Sequence, residues 1–425
     1  MGDTIVALSS GPPPAAIGVI RLSGPLAIPA ATAIAGRLPE PRRAAVRGLR
    51  DDGVLLDRAL VLVFPGPDSA TGEDLVEFHV HGGPAVVRSV ERALLAQTGI
   101  TAAEPGAFTR QALTNGRLDL AQVEALGDLL AAQSDVQART AVLGTEGLLR
   151  RSIDALQATL LEVSAQVELA LDFADEDDGS VFDAVALSAT LGALAARMSD
   201  WLARPMVDSL NRGFRVVIAG RPNRGKSTLL NAMAGREAAI VSDIAGTTRD
   251  RIEVPVSHGG IAFVLTDTAG LVDASADPIE AIGVTRAQDA IAAADVILWL
   301  EDELPLPRAD ALRIASKADQ EQRSLSPDAI PVSGLTGEGL ADLWEAIHGK
   351  IVHLLPPEDG SALNKRQHHL LARAAAAVNC AVHADDLLLC AEHLRDAQYS
   401  LDRITGAAGT EAMLDQLFGR FCIGK

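Results

Sequence analysis

Residues Gly220 to Ser227 read GRPNRGKS, which places two glycines, a lysine and a serine in the order G-x-x-x-x-G-K-[ST]. An apolar run (RVVIAG) precedes them and a helix-favouring stretch (TLLNAMAG) follows, the strand–loop–helix setting in which this spacing binds phosphate. Gly225 lets successive backbone N–H groups turn inward around the phosphates. Lys226 supplies a point charge to the β- and γ-phosphates, the Ser227 hydroxyl can ligate Mg²⁺, and the helix N-terminus adds its dipole.

Four further segments follow in fixed order. GTTRD starts at Gly246 and offers Thr248 as a switch residue that meets Mg²⁺ and the γ-phosphate. FVLTDTAG is a strand ending in Asp267, Thr268, Ala269 and Gly270. Asp267 is suited to hold Mg²⁺ through water, and the Gly270 N–H to sense the γ-phosphate. LRIASKAD ends in Ser316, Lys317, Ala318 and Asp319, whose carboxylate matches the N1 and N2 donors of guanine. IPVSGLTGEG brings Ser333 and Gly334 towards the guanine O6. As a set the segments resemble the P-loop GTPases of the translation-factor class. Ser316 stands where that class usually has Asn, which predicts weaker guanine binding, and Gly334 stands where Ala is usual. No Gln follows DTAG. Arg224, Arg249 and Arg251 are candidates to assist hydrolysis, each with a solvated surface role as the plainer reading.

Positioning these residues takes an α/β domain, and the chain changes texture where one would begin. Residues 1–116 mix strand-like runs (IGVIRL, ALVLVF, LVEFHV) with Gly and Pro, an α+β reading. Residues 117–210 place apolar residues at helical spacing, as in LDLAQVEALGDLLAAQ. Residues 211–356 alternate strand, turn and helix. Residues 357–425 return to helix. The expectation is a multidomain α/β and α protein in which a Ras-like P-loop domain is inserted between Pro205 and Pro357, so that the flanking helices pack on each other.

Of the 425 residues, 48% are hydrophobic and 3% aromatic, so the core must be Ala, Leu, Val and Ile. No apolar run is long enough to span a membrane. The start, MGDTIVALSSGPPP, has an early acid and no basic stretch, so no signal peptide is expected. Three widely spaced cysteines suit a reducing cytoplasm. Cys380 and Cys390 are read as helix packing, and His79 and His81 as strand packing rather than a metal site. The net charge of −19 gives no basic face for nucleic acid, so RNA would require a local patch or a basic partner.

Beyond these motifs the chain resembles the MnmE (TrmE) family of tRNA-modification GTPases from end to end. The resemblance rests on DTIVALSS, IGVIRLSGP, TGEDLVEFHVHGGP, EPGAFTRQALTNGRLDLAQVEAL, ALDFADEDD, IVSDIAGTTRD and the terminal FCIGK. It implies an N-terminal tetrahydrofolate-binding and dimerisation domain, and a helical domain that carries the inserted GTPase. It also implies modification of C5 of the wobble uridine (position 34) of certain tRNAs, to carboxymethylaminomethyl- or aminomethyl-uridine, by a heterotetramer of the homodimer with a flavoprotein of the MnmG (GidA) type. Folate, as 5,10-methylene- or 5-formyltetrahydrofolate, would supply the one-carbon unit, and the partner would bring FAD and NADH. Hydrolysis would be activated by K⁺, held by Asn223, Ser242, Ile244 and Thr247, with Glu280 orienting the attacking water. The implied nucleotide site extends to Arg224, Thr228, Asp243 and Ala245. Arg21, Glu77, Arg117 and Lys425 would bind folate, although Lys is often found where this chain has Arg117. Cys422 would act in the modification itself.

Two other readings compete. A regulatory GTPase without modification chemistry predicts a basic RNA-binding appendage and leaves FCIGK without a purpose. A folate-dependent transferase with a degenerate GTPase domain requires loss of Lys226, Thr248 or Asp267, and all three are present.

Overall fold

Two six-stranded sheets and the helices around them account for the textures read from the sequence. The computed structural model describes residues 3–172, 183–236, 253–268, 288–301, 305–320, 327–357, 359–406, 418, 421 and 424. The chain divides into two compact units, Met1–Gly127 with Leu401–Lys425, and Asp128–Ser400.

The first unit contains β1 (Thr4–Leu8), β2 (Ile17–Ser23), α1 (Ala27–Ala35), β3 (Ala45–Asp51), β4 (Val54–Phe64), β5 (Leu75–His81), α2 (Pro84–Leu95), β6 (Ile100–Ala102) and α3 (Ala107–Thr114). Its sheet runs β3-β4-β5-β2-β1-β6 and is antiparallel except where β1 meets β6. Alternation decides which face is buried. On β5, Val76, Phe78 and Val80 join Ile20 and Leu22 of β2 beneath Ala31 and Ile34 of α1 and Val87 and Val90 of α2. Glu77, His79 and His81 therefore fall on the opposite, wetter face. His81 is exposed and pairs with Asp57, and His79 lies 3.4 Å from Glu77. The two share one face, as their spacing predicts; His79 is half-buried, and the expectation of strand packing is corrected for His81, which is exposed.

The end of the chain belongs to this unit. Phe418 and Phe421 bury against Val123, with Leu113, Leu118 and Leu126 around them. Gly106 precedes α3 with φ +73°, and a Cβ there would lie 2.8 Å from the Phe418 ring. Gly424 seats so closely on the end of β1 that a Cβ would fall 2.3 Å from the Leu8 carbonyl oxygen. Only glycine fits there.

α4 (Leu120–Ala131) leads into the second unit, which contains α5 (Asp135–Thr145), α6 (Leu148–Asp172), α7 (Ala184–Leu202), α8 (Val207–Asn211), β7 (Phe214–Ala219), α9 (Lys226–Arg236), β8 (Glu253–His258), β9 (Ile261–Asp267), β10 (Val296–Trp299), β11 (Leu312–Ser316), β12 (Ile330–Val332), α10 (Leu340–Ile351) and α11 (Lys365–Val382); α12 (Leu387–Thr405) begins in it and ends in the first unit. Its sheet runs β12-β11-β10-β7-β9-β8, parallel except for β8. Such strands are buried on both faces, and β7 reads FRVVIA accordingly.

Helices before and after this sheet close on each other as a stem. α7 packs along α11. The Trp201 indole N–H donates to the Ser361 carbonyl at 2.6 Å, and Val207 N–H to the Leu363 carbonyl at 3.0 Å. A capping box starts α11: Asn364 accepts from Gln367 N–H, and the Gln367 side chain accepts from Asn364 N–H. Leu371, Ala374, Ala375 and Val378 form its buried stripe. Cys390 is buried, but Cys380 falls off that stripe and is exposed, which corrects its assignment to packing.

Candidate nucleotide-binding site

The loop between β7 and α9 lies at the carboxyl end of the sheet, where β9 and β10 flank β7 on opposite sides. In open α/β sheets this reversal of strand order opens the ligand crevice. Gly220 and Gly225 both take positive φ, +147° and +89°, as does Asn223 at +66°. Left-handed residues at these positions turn the loop so that its N–H groups converge.

Lys226 is 5% exposed and folds its ammonium over the loop, donating to the carbonyls of Gly220 (2.8 Å) and Arg221 (2.9 Å). Burial pulls its pKa below the ordinary lysine value, and the charges of Asp267 and Glu301 oppose that shift. The Ser227 hydroxyl donates to Asp267 Oδ2 at 2.5 Å. A hydroxyl and a carboxylate brought together in this way form a hard oxygen donor pair of the kind Mg²⁺ takes alongside waters and phosphate oxygens. Thr268 is buried and donates to the Ile218 carbonyl, fixing the exit of β9 against β7.

Beside the loop lies a cavity of about 270 Å³ lined by Gly225, Thr228, Leu229, Ser316, Lys317, Asp319, Gln320, Val332, Gly334 and Leu335. The two segments read from the sequence as a guanine site therefore share one pocket with the end of the phosphate loop. Asp319 Oδ1 accepts from the Ser333 hydroxyl at 2.6 Å, which fixes the carboxylate's orientation. Ser333 Oγ in turn accepts from the N–H groups of Leu335 and Thr336. Ser316 directs its hydroxyl to the Arg224 carbonyl (2.7 Å), and Lys317 donates to the Asn223 carbonyl (3.1 Å). The end of β11 is thereby tied to the crest of the phosphate loop. Gly334 lies against α9: a Cβ there would stand 3.0 Å from the backbone of Thr228.

One residue of this site was not anticipated. Glu301, just past β10 and 1% exposed, accepts from the Arg221 N–H at 2.5 Å and lies 3.4 Å from the Arg224 guanidinium. In the sequence it opens EDELP, which reads as a solvated loop. The available signal was an acid directly after the buried run VILWL.

In the first unit Arg21 and Glu77 are cross-strand partners on β2 and β5. The Arg21 guanidinium donates twice to Glu77 Oε1, at 2.8 and 3.1 Å, and sits 5.7 Å above the Phe108 ring. Arg117 lies 3.6 Å from Asp68. Ser242, Asp243, Ile244, Ala245, Gly246, Thr247, Thr248, Arg249, Arg251, Ala269, Gly270, Glu280, Cys422 and Lys425 lie outside the described residues.

Comparison with known proteins covers the whole chain. A family model described as the MnmE helical domain matches residues 120–422, and one for the N-terminus of the GTP-binding protein TrmE matches residues 4–117. The tRNA modification GTPase MnmE of Erythrobacter litoralis is 50% identical over 100% of both chains, and that of Novosphingobium aromaticivorans 48% identical over 100% of both. That of Rhizorhabdus wittichii is 50% identical over 100% of this chain and 97% of its own. Among solved structures, the G domain of the T. maritima FeoB iron transporter matches 32% of this chain and 98% of its own at 23% identity, with a TM-score of 0.25, too low to carry an argument. Two family models and half-identical relatives of matching length leave one conclusion: the chain belongs to the MnmE family of tRNA modification GTPases.

Proposed function

We propose that this chain hydrolyses GTP at the loop from Gly220 to Ser227 and that this turnover serves modification of C5 of the wobble uridine in certain tRNAs. The observation that carries the reading is the meeting of Ser227 with Asp267 beneath Lys226, next to a pocket where Asp319 is held ready. Lys226 gives two N–H groups to loop carbonyls and has a third for a phosphate oxygen as the nucleotide enters. Ser227, Thr248 and, through water, Asp267 would hold Mg²⁺, which would supply charge to offset that developing on the phosphates. Asp319 accepts from guanine N1 and N2, and Ser333 keeps it aimed.

Among the described residues Lys317 is the cation that lines the cavity, and it donates to the Asn223 carbonyl at the loop rim. There Asn223, with Ser242, Ile244 and Thr247, would hold K⁺, and Glu280 would orient the attacking water. In the first unit Arg21, Glu77, Arg117 and Lys425 are the proposed folate contacts. The Arg21–Glu77 pair offers guanidinium N–H groups and a carboxylate side by side, suited to a ligand with both acceptors and paired donors. Gly424, seated on Leu8, brings the terminal segment to β1, next to the strand that carries Arg21, and Cys422 stands two residues before it. A homodimer joined to a flavoprotein that supplies FAD and NADH completes the assembly, in the cytoplasm. The flavoprotein or a local patch would supply the basic surface for tRNA that a net charge of −19 lacks. The domains proposed for these tasks are 1–116, 117–210 with 357–425, and 211–356.

The cation mechanism is tested by GTP turnover of the purified chain in KCl and in NaCl at equal ionic strength. The expected acceleration in KCl is about 10-fold or more, within the range that a cation at this position can supply. Equal rates in the two salts contradict it.

A further inference from the structure

The backbone of Arg221 makes the first turn of the phosphate loop, and it is gripped on two sides. Its carbonyl accepts from the Lys226 ammonium, and its N–H donates to Glu301. The two grips differ in what else they can do: the Lys226 ammonium gives two N–H groups to loop carbonyls and has a third for an anion, whereas Glu301 is an acceptor only and meets the N–H from the end of β10. Leu300, the residue before Glu301, donates its N–H to the Ala219 carbonyl at 2.9 Å, so β10 delivers the carboxylate from a strand that is bonded to β7 up to the start of the loop. The Glu301 carbonyl accepts from Arg313 on β11 at 2.6 Å, which fastens the strand end on its other side. A buried carboxylate at the rim of a polyphosphate site is electrostatically adverse, and adjacent Arg224 offsets it.

We propose that Glu301 is a positioning residue for the nucleotide phosphates: it keeps the first turn of the loop open by holding the Arg221 N–H, and it holds Arg224 at the rim, away from the anion. The inference rests on the nucleotide reading of the loop and goes beyond it, because the general loop pattern assigns nothing to β10. Shape and charge make opposite contributions here. Holding the N–H favours binding, whereas the negative charge and the captive Arg224 disfavour it.

Glu301→Gln keeps an acceptor for the Arg221 N–H, removes the charge and releases Arg224. Glu301→Ala removes the acceptor as well. Glu301→Asp keeps the charge and withdraws the acceptor by one methylene. Equilibrium titration and stopped-flow dissociation of fluorescently labelled GDP, on the full chain, separate the two contributions. Expected are Glu301→Gln binding at least as tightly as wild type, with slower dissociation, and Glu301→Ala binding about tenfold more weakly. Glu301→Asp should be weaker than Glu301→Gln, which decides the matter even where the Ala variant does not fold. Equal affinity of all variants, or a loss in Glu301→Gln matching that in Glu301→Ala or Glu301→Asp, overturns the inference while leaving the nucleotide reading intact. A wild-type chain that fails to bind labelled GDP overturns both.

Discussion

At the residue scale the site is built from side chains that hold one another in place. Ser333 aims Asp319, Asp267 holds Ser227, and Ser316 and Lys317 tether the crest of the loop. Asp319→Asn replaces the acceptor proposed for guanine N1 and N2 with a donor. GDP affinity should fall about 10- to 100-fold in calorimetry, while xanthosine diphosphate, which has a carbonyl at C2, should bind better than to wild type. Ser316→Asn restores a longer side chain that can hold the Arg224 carbonyl and still reach the base, so GDP should bind more tightly. An unchanged dissociation constant would refute the idea that Ser weakens guanine binding. That Gly225, Lys226, Ser227 and Asp267 come together was legible in the sequence, because the loop spacing and the strand ending at Asp267 place them at one end of the sheet. Glu301 was not, because an acid after a buried strand looks the same whether it turns to solvent or back under a loop. The destination of the Ser316 hydroxyl depends on how near the loop passes to β11, a tertiary distance that no local pattern encodes.

At the element scale, helices and strands were read correctly wherever periodicity was strong. DVILWL and RVVIAG became neighbouring parallel strands, and the helical stretches around the sheet became α7 and α11, which pack on each other. Side-chain exposure was harder to read. Cys380 lies one residue off a stripe that only the helix phase defines, and the histidines of β5 follow the outer face of their sheet. A cluster between the β8–β9 hairpin and α10 makes a testable contribution of its own. His258 stacks on Trp344 with ring centroids 4.3 Å apart, and its Nδ1 lies 2.8 Å from His348 Nε2. Burial and the neighbouring His258 hold His348 below the ordinary histidine pKa. The unfolded chain therefore binds this proton more readily than the folded one. The contribution of His348 to stability is full above about pH 6.5 and is lost as pH falls through the lower folded value. The melting temperature should drop more steeply between pH 7.5 and 5 in the wild type than in His348→Gln, and parallel curves would remove His348 from the account.

At the scale of the whole molecule, the two units bring together nucleotide motifs in one and a carboxylate–guanidinium pair with the chain terminus in the other. Aromatic scarcity is offset locally: Phe418 and Phe421 fasten the end of the chain to Val123, and Phe214, Phe263 and Trp344 lie in the core of the nucleotide unit. In the proposed function hydrolysis and modification are linked, and that linkage is the central claim. Nucleoside analysis of total tRNA tests it most directly, in cells lacking this chain and in the same cells supplied with wild type or Lys226→Ala. The account predicts that the C5 modification of the wobble uridine disappears in the deletion, returns with wild type and does not return with Lys226→Ala. Unmodified levels unchanged by the deletion, or full restoration by Lys226→Ala, would contradict it.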